Sequence, residues 1–146
     1  MHGNNIRAFS LSTAAAVLLT AFPGVSDART VPGSIGRAAN PSDSLCLTLS
    51  NSAAVNTCAH DVRVDFPLVV DTFGPINARV RAEGAANTVA CEVVWWSGVT
   101  FRQSPTAANT GGLQQLSLSV TGSISSDSIF VGCTLKPAGR VHTIAL

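Results

Sequence analysis

The stretch Thr88–Trp96 reads TVACEVVWW, and its reading decides the fold. Laid out as a strand, it puts Val89, Cys91, Val93 and Trp95 on one face. Ala90, Glu92, Val94 and Trp96 fall on the other. A second run, Ser128–Leu135 (SIFVGCTL), repeats the pattern with Ile129, Val131, Cys133 and Leu135 on one face. Cys91 and Cys133 thus share an inward parity. A disulfide between them is the expected centre of the core, with Trp95 packed beside it.

Other runs extend the pattern outward from these two. Leu45–Leu49 alternates and reads as a first strand, followed by a turn-rich loop at Ser50–Thr57. Val62–Val70 places Val62, Val64, Phe66 and Leu68 on one face. Its Pro67 lacks an N–H and predicts an edge, a bend or a bulge. Ile76–Glu83 (INARVRAE) alternates strictly between Gly74-Pro75 and Gly84, which favours a strand over a helix. Val99–Phe101 reads as a continuation of the central strand past a bulge, and Gln103–Gly112 as a polar loop. Leu116–Val120 and Arg140–Leu146 complete about seven short strands, with turns at Asp71–Pro75 and Gly122–Asp127. The expected fold is all-β, an antiparallel β-sandwich. The cysteine and tryptophan spacing is not that of an immunoglobulin domain, and the chain has no Tyr.

The chain has 146 residues, a single-domain length. Its first 28 read as a Sec-type signal peptide: Arg7, then the uncharged apolar run Ala8–Phe22, then Ser26-Asp27-Ala28 with small residues at −3 and −1. Cleavage after Ala28 leaves Arg29–Ser44, a Gly/Pro/Ser-rich lead-in, and a sandwich domain over 45–146. The four cysteines, Cys46, Cys58, Cys91 and Cys133, all lie beyond the cut. An even count behind a signal peptide predicts two disulfides and an oxidising compartment. Three connectivities are open. Locality and strand parity favour Cys46–Cys58 with Cys91–Cys133. No Asn-x-Ser/Thr acceptor occurs, since Pro41 follows Asn40, and a bacterial periplasmic or secreted protein is the expectation.

The formal net charge is +1, and removing Arg7 with Asp27 leaves it unchanged. Such a surface has no electrostatic reason to seek nucleic acid or anionic lipid. Past the signal peptide no stretch is long and apolar enough to span a bilayer as a helix. The two strand motifs, Val89-Ala90-Cys91 and Cys133-Thr134-Leu135, resemble a loose class of small secreted bacterial proteins of unknown function. The resemblance covers roughly Cys46–Leu146. It implies a β-sandwich and no particular activity.

Candidates for chemistry are few. No C-x-x-C pair suggests zinc, no G-x-S-x-G suggests a nucleophile elbow, and no glycine loop suggests phosphate binding. The acids Asp43, Asp61, Asp65, Asp71, Glu83, Glu92 and Asp127 show no paired placement. His60, next to Asp61, and His142 are the two histidines beyond the cut, and they would form a metal site if their strands were adjacent. Trp96 shares the outward face with Glu92 and Val94, where it would suit stacking on a sugar ring or a partner's apolar patch. Arg79 and Arg81 would join it if their strand paired with the central one. The expected protein is an exported, non-enzymatic β-sandwich without a cofactor, either structural or binding a ligand or protein. One alternative is a carbohydrate-binding module centred on Trp96. Another is a small metalloprotein using His60 and His142.

Overall fold

A computed structural model describes residues 29–69, 75–97, 100–120 and 128–146. The expected signal peptide, the expected turn at Gly122–Asp127, all but Pro75 of the expected turn at Asp71–Pro75, and the Gly98-Val99 step lie outside them. The strands run β1 Thr30–Pro32, β2 Arg37–Ala38, β3 Leu47–Ser50, β4 Ala53–Asn56, β5 Val62–Pro67 and β6 Ile76–Gly84. They continue with β7 Val89–Ser97, β8 Thr100–Gln103, β9 Ala107–Ala108, β10 Gly112–Val120, β11 Ser128–Leu135 and β12 Arg140–Ala145.

All pairings are antiparallel. The first sheet has the order β10-β6-β12-β4-β3, with β1 also on β12. The second has the order β2-β5-β11-β7-β8, with β9 also on β7. The core lies between them. The first sheet contributes Ile76, Ala78, Val80, Ala82, Leu116, Leu118, Val120, Val141 and Ile144. The second contributes the inward residues of β5, β7 and β11. Fully buried Phe66, Leu135 and Ile144 each stabilise the fold by about 1.5–3 kcal/mol relative to exposure.

Both disulfides pair as parity and locality predict, Cys46 with Cys58 and Cys91 with Cys133. Cys91 and Cys133 stand directly opposite each other on neighbouring strands of one sheet, Cα atoms 4.1 Å apart. Trp95 is in the core but is not beside this bond. Val93 and Val131 face each other between them, because side chains on one face recur only every second residue.

Other readings change more. The lead-in is built into both sheets: Thr30–Pro32 pairs with β12, and Arg37–Ala38 with β5. Ser50–Thr57 is not a loop but the turn and return strand of a hairpin. Asn51 and Ser52 take φ of 48° and 64°, the positive pair of a type I′ turn. Thr100–Gln103 does not continue β7; it turns back and pairs with it, and Ala107–Ala108 pairs with β7 further along. Pro67 sits at the end of β5, past the short pairing with β2, where no ladder donor is needed. A bulge at His142 lets Val141 and Ile144 both face inward on β12.

Candidate functional site

The second sheet's outer face carries the most distinctive surface. At one end the β7–β8 hairpin sets Trp96 opposite Phe101. Their ring centroids lie 5.9 Å apart at 68°, an edge-to-face pair. Trp96 is 50% exposed and Phe101 51%. Phe130 on β11 is opposite Val94 and shares this face, and the buried Val94 anchors the corner beneath it. Gln103, also opposite Val94, is exposed beside the rings. Sequence alternation placed Trp96 outward. It missed Phe101, because the hairpin that brings it back was read as a continuation.

Four residues along β7, about 13 Å at strand rise, the face changes character. Arg63 on β5 reaches across β11 to Glu92 on β7, Nη1 to Oε1 at 2.7 Å. Its Nε also donates to Asp65 Oδ1 at 3.2 Å. Gly132 on β11 makes that crossing possible, since a Cβ there would collide with the guanidinium. The register confirms the geometry: Gly132 is opposite both Asp65 and Glu92. Arg63 thus bonds both carboxylates.

This arrangement makes a testable claim. Gly132→Ala should destabilise the protein by about 1 kcal/mol, the low end for overpacking, because the added methyl meets only the movable head of Arg63. Most of that loss should vanish when Arg63→Ala is added, because the clash partner is then gone. Thermal or denaturant unfolding of the single and double variants checks it. Additive losses would mean that Gly132 serves something other than seating Arg63.

Arg79 and Arg81 do not join this site. Their strand, β6, belongs to the first sheet, so they face solvent on the opposite side of the sandwich. The histidines are also engaged separately. His60 Nε2 is 3.1 Å from Asp43 Oδ1, and His142 Nε2 is 2.7 Å from Glu83 Oε2. Among the described residues no group of three or more His, Cys, Asp or Glu is placed to hold a metal ion. His60, Asp61 and His142 therefore do not form one donor set.

Two buried asparagines went unseen in the sequence. Asn56 sits in β4 with no exposed surface. Its Nδ2 donates to the carbonyls of His60 and Leu135 at 2.8 and 2.7 Å, and its Oδ1 accepts from Cys58 N–H at 2.7 Å. Asn109, equally buried, accepts from Val89 N–H and donates to the Gly84 and Ala85 carbonyls. Each ties one sheet to the other. No local pattern separates such an Asn from an ordinary turn residue.

No family model and no curated protein matches the chain. Solved structures do show similarity. A family two carbohydrate esterase from Cellvibrio japonicus aligns at a TM-score of 0.46 and 8% identity over 82% of this chain and 33% of that one. This chain thus spans about a third of the esterase. A carbohydrate-binding module from Cellvibrio mixtus lichenase 5A, in complex with cellotriose, aligns at 0.44 and 11% identity over 80% of this chain and 94% of that one. A CBM4 structure aligns at 0.40 and 10% over 79% and 74%. These likenesses are too distant to carry a function to this chain.

Proposed function

We propose that this is an exported, non-catalytic binding domain that holds a saccharide on the outer face of its second sheet. Trp96 and Phe101 form the stacking platform. The observation that carries the reading is two large aromatic side chains, each half exposed, set edge to face on the paired strands β7 and β8. Large aromatics are usually mostly buried, so an exposed pair calls for a partner. A sugar ring suits it: its C–H face packs on an aromatic ring while its hydroxyls meet polar groups at the rim. Gln103 stands at the rim of the pair, and the Asp65–Arg63–Glu92 row continues the same face. The two disulfides and the signal-peptide pattern support a domain outside the cytosol, where polysaccharides are found.

Affinity electrophoresis against a panel of soluble polysaccharides tests the reading. At least one should retard the protein, and Trp96→Ala or Phe101→Ala should weaken that binding at least about tenfold, as for a buried hot spot. Both variants should melt close to the parent. Unaltered mobility across the panel, or retention undiminished in both variants, would refute the saccharide reading.

A further inference from the structure

The two exposed rings do not form a flat platform. Trp96 and Phe101 stand opposite each other on β7 and β8, with centroids 5.9 Å apart and planes inclined at 68°. At that separation aromatic rings pack on each other, so the pair covers one contiguous spot rather than two spaced ones. The inclination limits what can stack there. A planar ligand lying parallel to one ring meets the other steeply, so no single plane rests on both. Among the described residues no other Trp or Phe is exposed. Phe66 and Trp95 are buried, and Phe130 is half-buried one row along, opposite Val94. The chain has no Tyr. No third exposed ring among the described residues therefore continues either plane.

The register distinguishes the two rings. β7 is an inner strand with β11 on one side and β8 on the other, whereas β8 is the last strand in its row of the sheet. In the row through Trp96, the exposed Ser128 of β11 stands on one flank and Phe101 on the other. Neighbouring strands are about 4.8 Å apart, so both flanks lie within reach of a group seated on the Trp96 ring. A sugar over Trp96 has a hydroxyl that donates and accepts on one side and an aromatic wall on the other. A sugar over Phe101 has a neighbour on the Trp96 side alone. Trp96 is the floor of this corner and Phe101 its wall.

A crystalline polysaccharide presents many sugars fixed in one plane, and holding to it takes several coplanar rings whose contacts add. A chain in solution is free to tilt one residue into a corner. We infer that this site takes a single glycan chain, with one sugar stacked on Trp96 and its edge against Phe101, and does not adsorb to the flat faces of crystalline polysaccharide. The inference rests on the saccharide reading given above and narrows it to the form in which the saccharide is presented.

The test varies presentation at constant chemistry. The oxidised exported protein is mixed with microcrystalline cellulose, with crystalline chitin and with the acid-swollen, amorphous form of each. The panel of soluble polysaccharides is run beside them. Binding should appear with at least one soluble or swollen polysaccharide, and depletion by the crystalline powders should be weaker by at least about tenfold. Two variants then separate floor from wall. Trp96→Leu removes the stacking face and should weaken binding at least about tenfold, whereas Phe101→Leu keeps the bulk of the wall and should stay within about threefold of the parent. Both positions are exposed, so both variants should melt with the parent. Depletion by a crystalline powder equal to that by its swollen form, and lost in Trp96→Leu, would overturn the inference and uphold the saccharide reading. A loss in Phe101→Leu as large as that in Trp96→Leu would also overturn it, because both rings would then be stacking. Binding in no arm would refute the saccharide reading, and this inference with it.

Discussion

The paired change Cys91→Ala with Cys133→Ala should lower the stability of the folded protein by about 4 kcal/mol. The two cysteines are 42 residues apart in sequence, and the bond denies the unfolded chain the freedom of that loop. In the chain-entropy account a loop of this length is worth about 4 kcal/mol. Cys46–Cys58, with a separation of 12, is worth about 3 kcal/mol on the same account. The double variant should still fold. Cys91 and Cys133 are neighbours on hydrogen-bonded strands, and the Val93–Val131 and Val89–Leu135 pairs on either side keep the register. Guanidinium unfolding of the oxidised parent and the double variant checks this, with a steeper denaturant dependence expected once the unfolded chain expands. A loss below about 1 kcal/mol would show that the bond constrains little of the unfolded ensemble.

Asn56→Ala should cost about 3 kcal/mol. Truncation leaves the His60 and Leu135 carbonyls and the Cys58 N–H without their side-chain partner. Each such buried group costs about 1 kcal/mol or more when its partner is removed. Asn56 belongs to β4 in the first sheet and Leu135 to β11 in the second, so the amide also fastens the two layers at that end. Asn56→Asp separates the roles: it keeps an acceptor for Cys58 N–H and loses both donors. It should be nearly as destabilising as alanine. Chemical denaturation gives the comparison, and a cost under 1 kcal/mol for alanine would mean that water takes over the three bonds.

Much of this fold was legible because alternation reports directly which face a side chain takes. Ile76, Ala78, Val80 and Ala82 on β6 point inward as their spacing requires, as do Leu116, Leu118 and Val120 on β10. The cysteine parity held for the same reason. Alternation does not report what lies next to a strand. Arg29–Ser44 looked like a tether because its strands are two and three residues long and depend on β5 and β12, distant in sequence. Ala53 and Ala54 looked loop-like because small residues in Asn/Ser-rich sequence carry little hydrophobic signal, yet both are buried. The platform was half legible: Trp96 faces out by parity, but Phe101 reaches it only through a hairpin. The crossing of Arg63 over Gly132 depends on three strands in register, and no single stretch of sequence contains it.

The pairing of β1 with β12 has a topological consequence. Leu146 N–H donates to the Arg29 carbonyl at 3.1 Å, so the stretch from residue 29 to residue 146 starts and finishes one hydrogen bond apart. A short linker from residue 146 to residue 29 would turn the sandwich into a ring. New ends could then be opened at an exposed turn such as Asn51-Ser52. Residues 29 and 146 both lie at the first sheet, whereas Trp96 and Phe101 lie on the far side of the second. A molecule attached beside residue 29 or residue 146 would display its aromatic pair away from the attachment point.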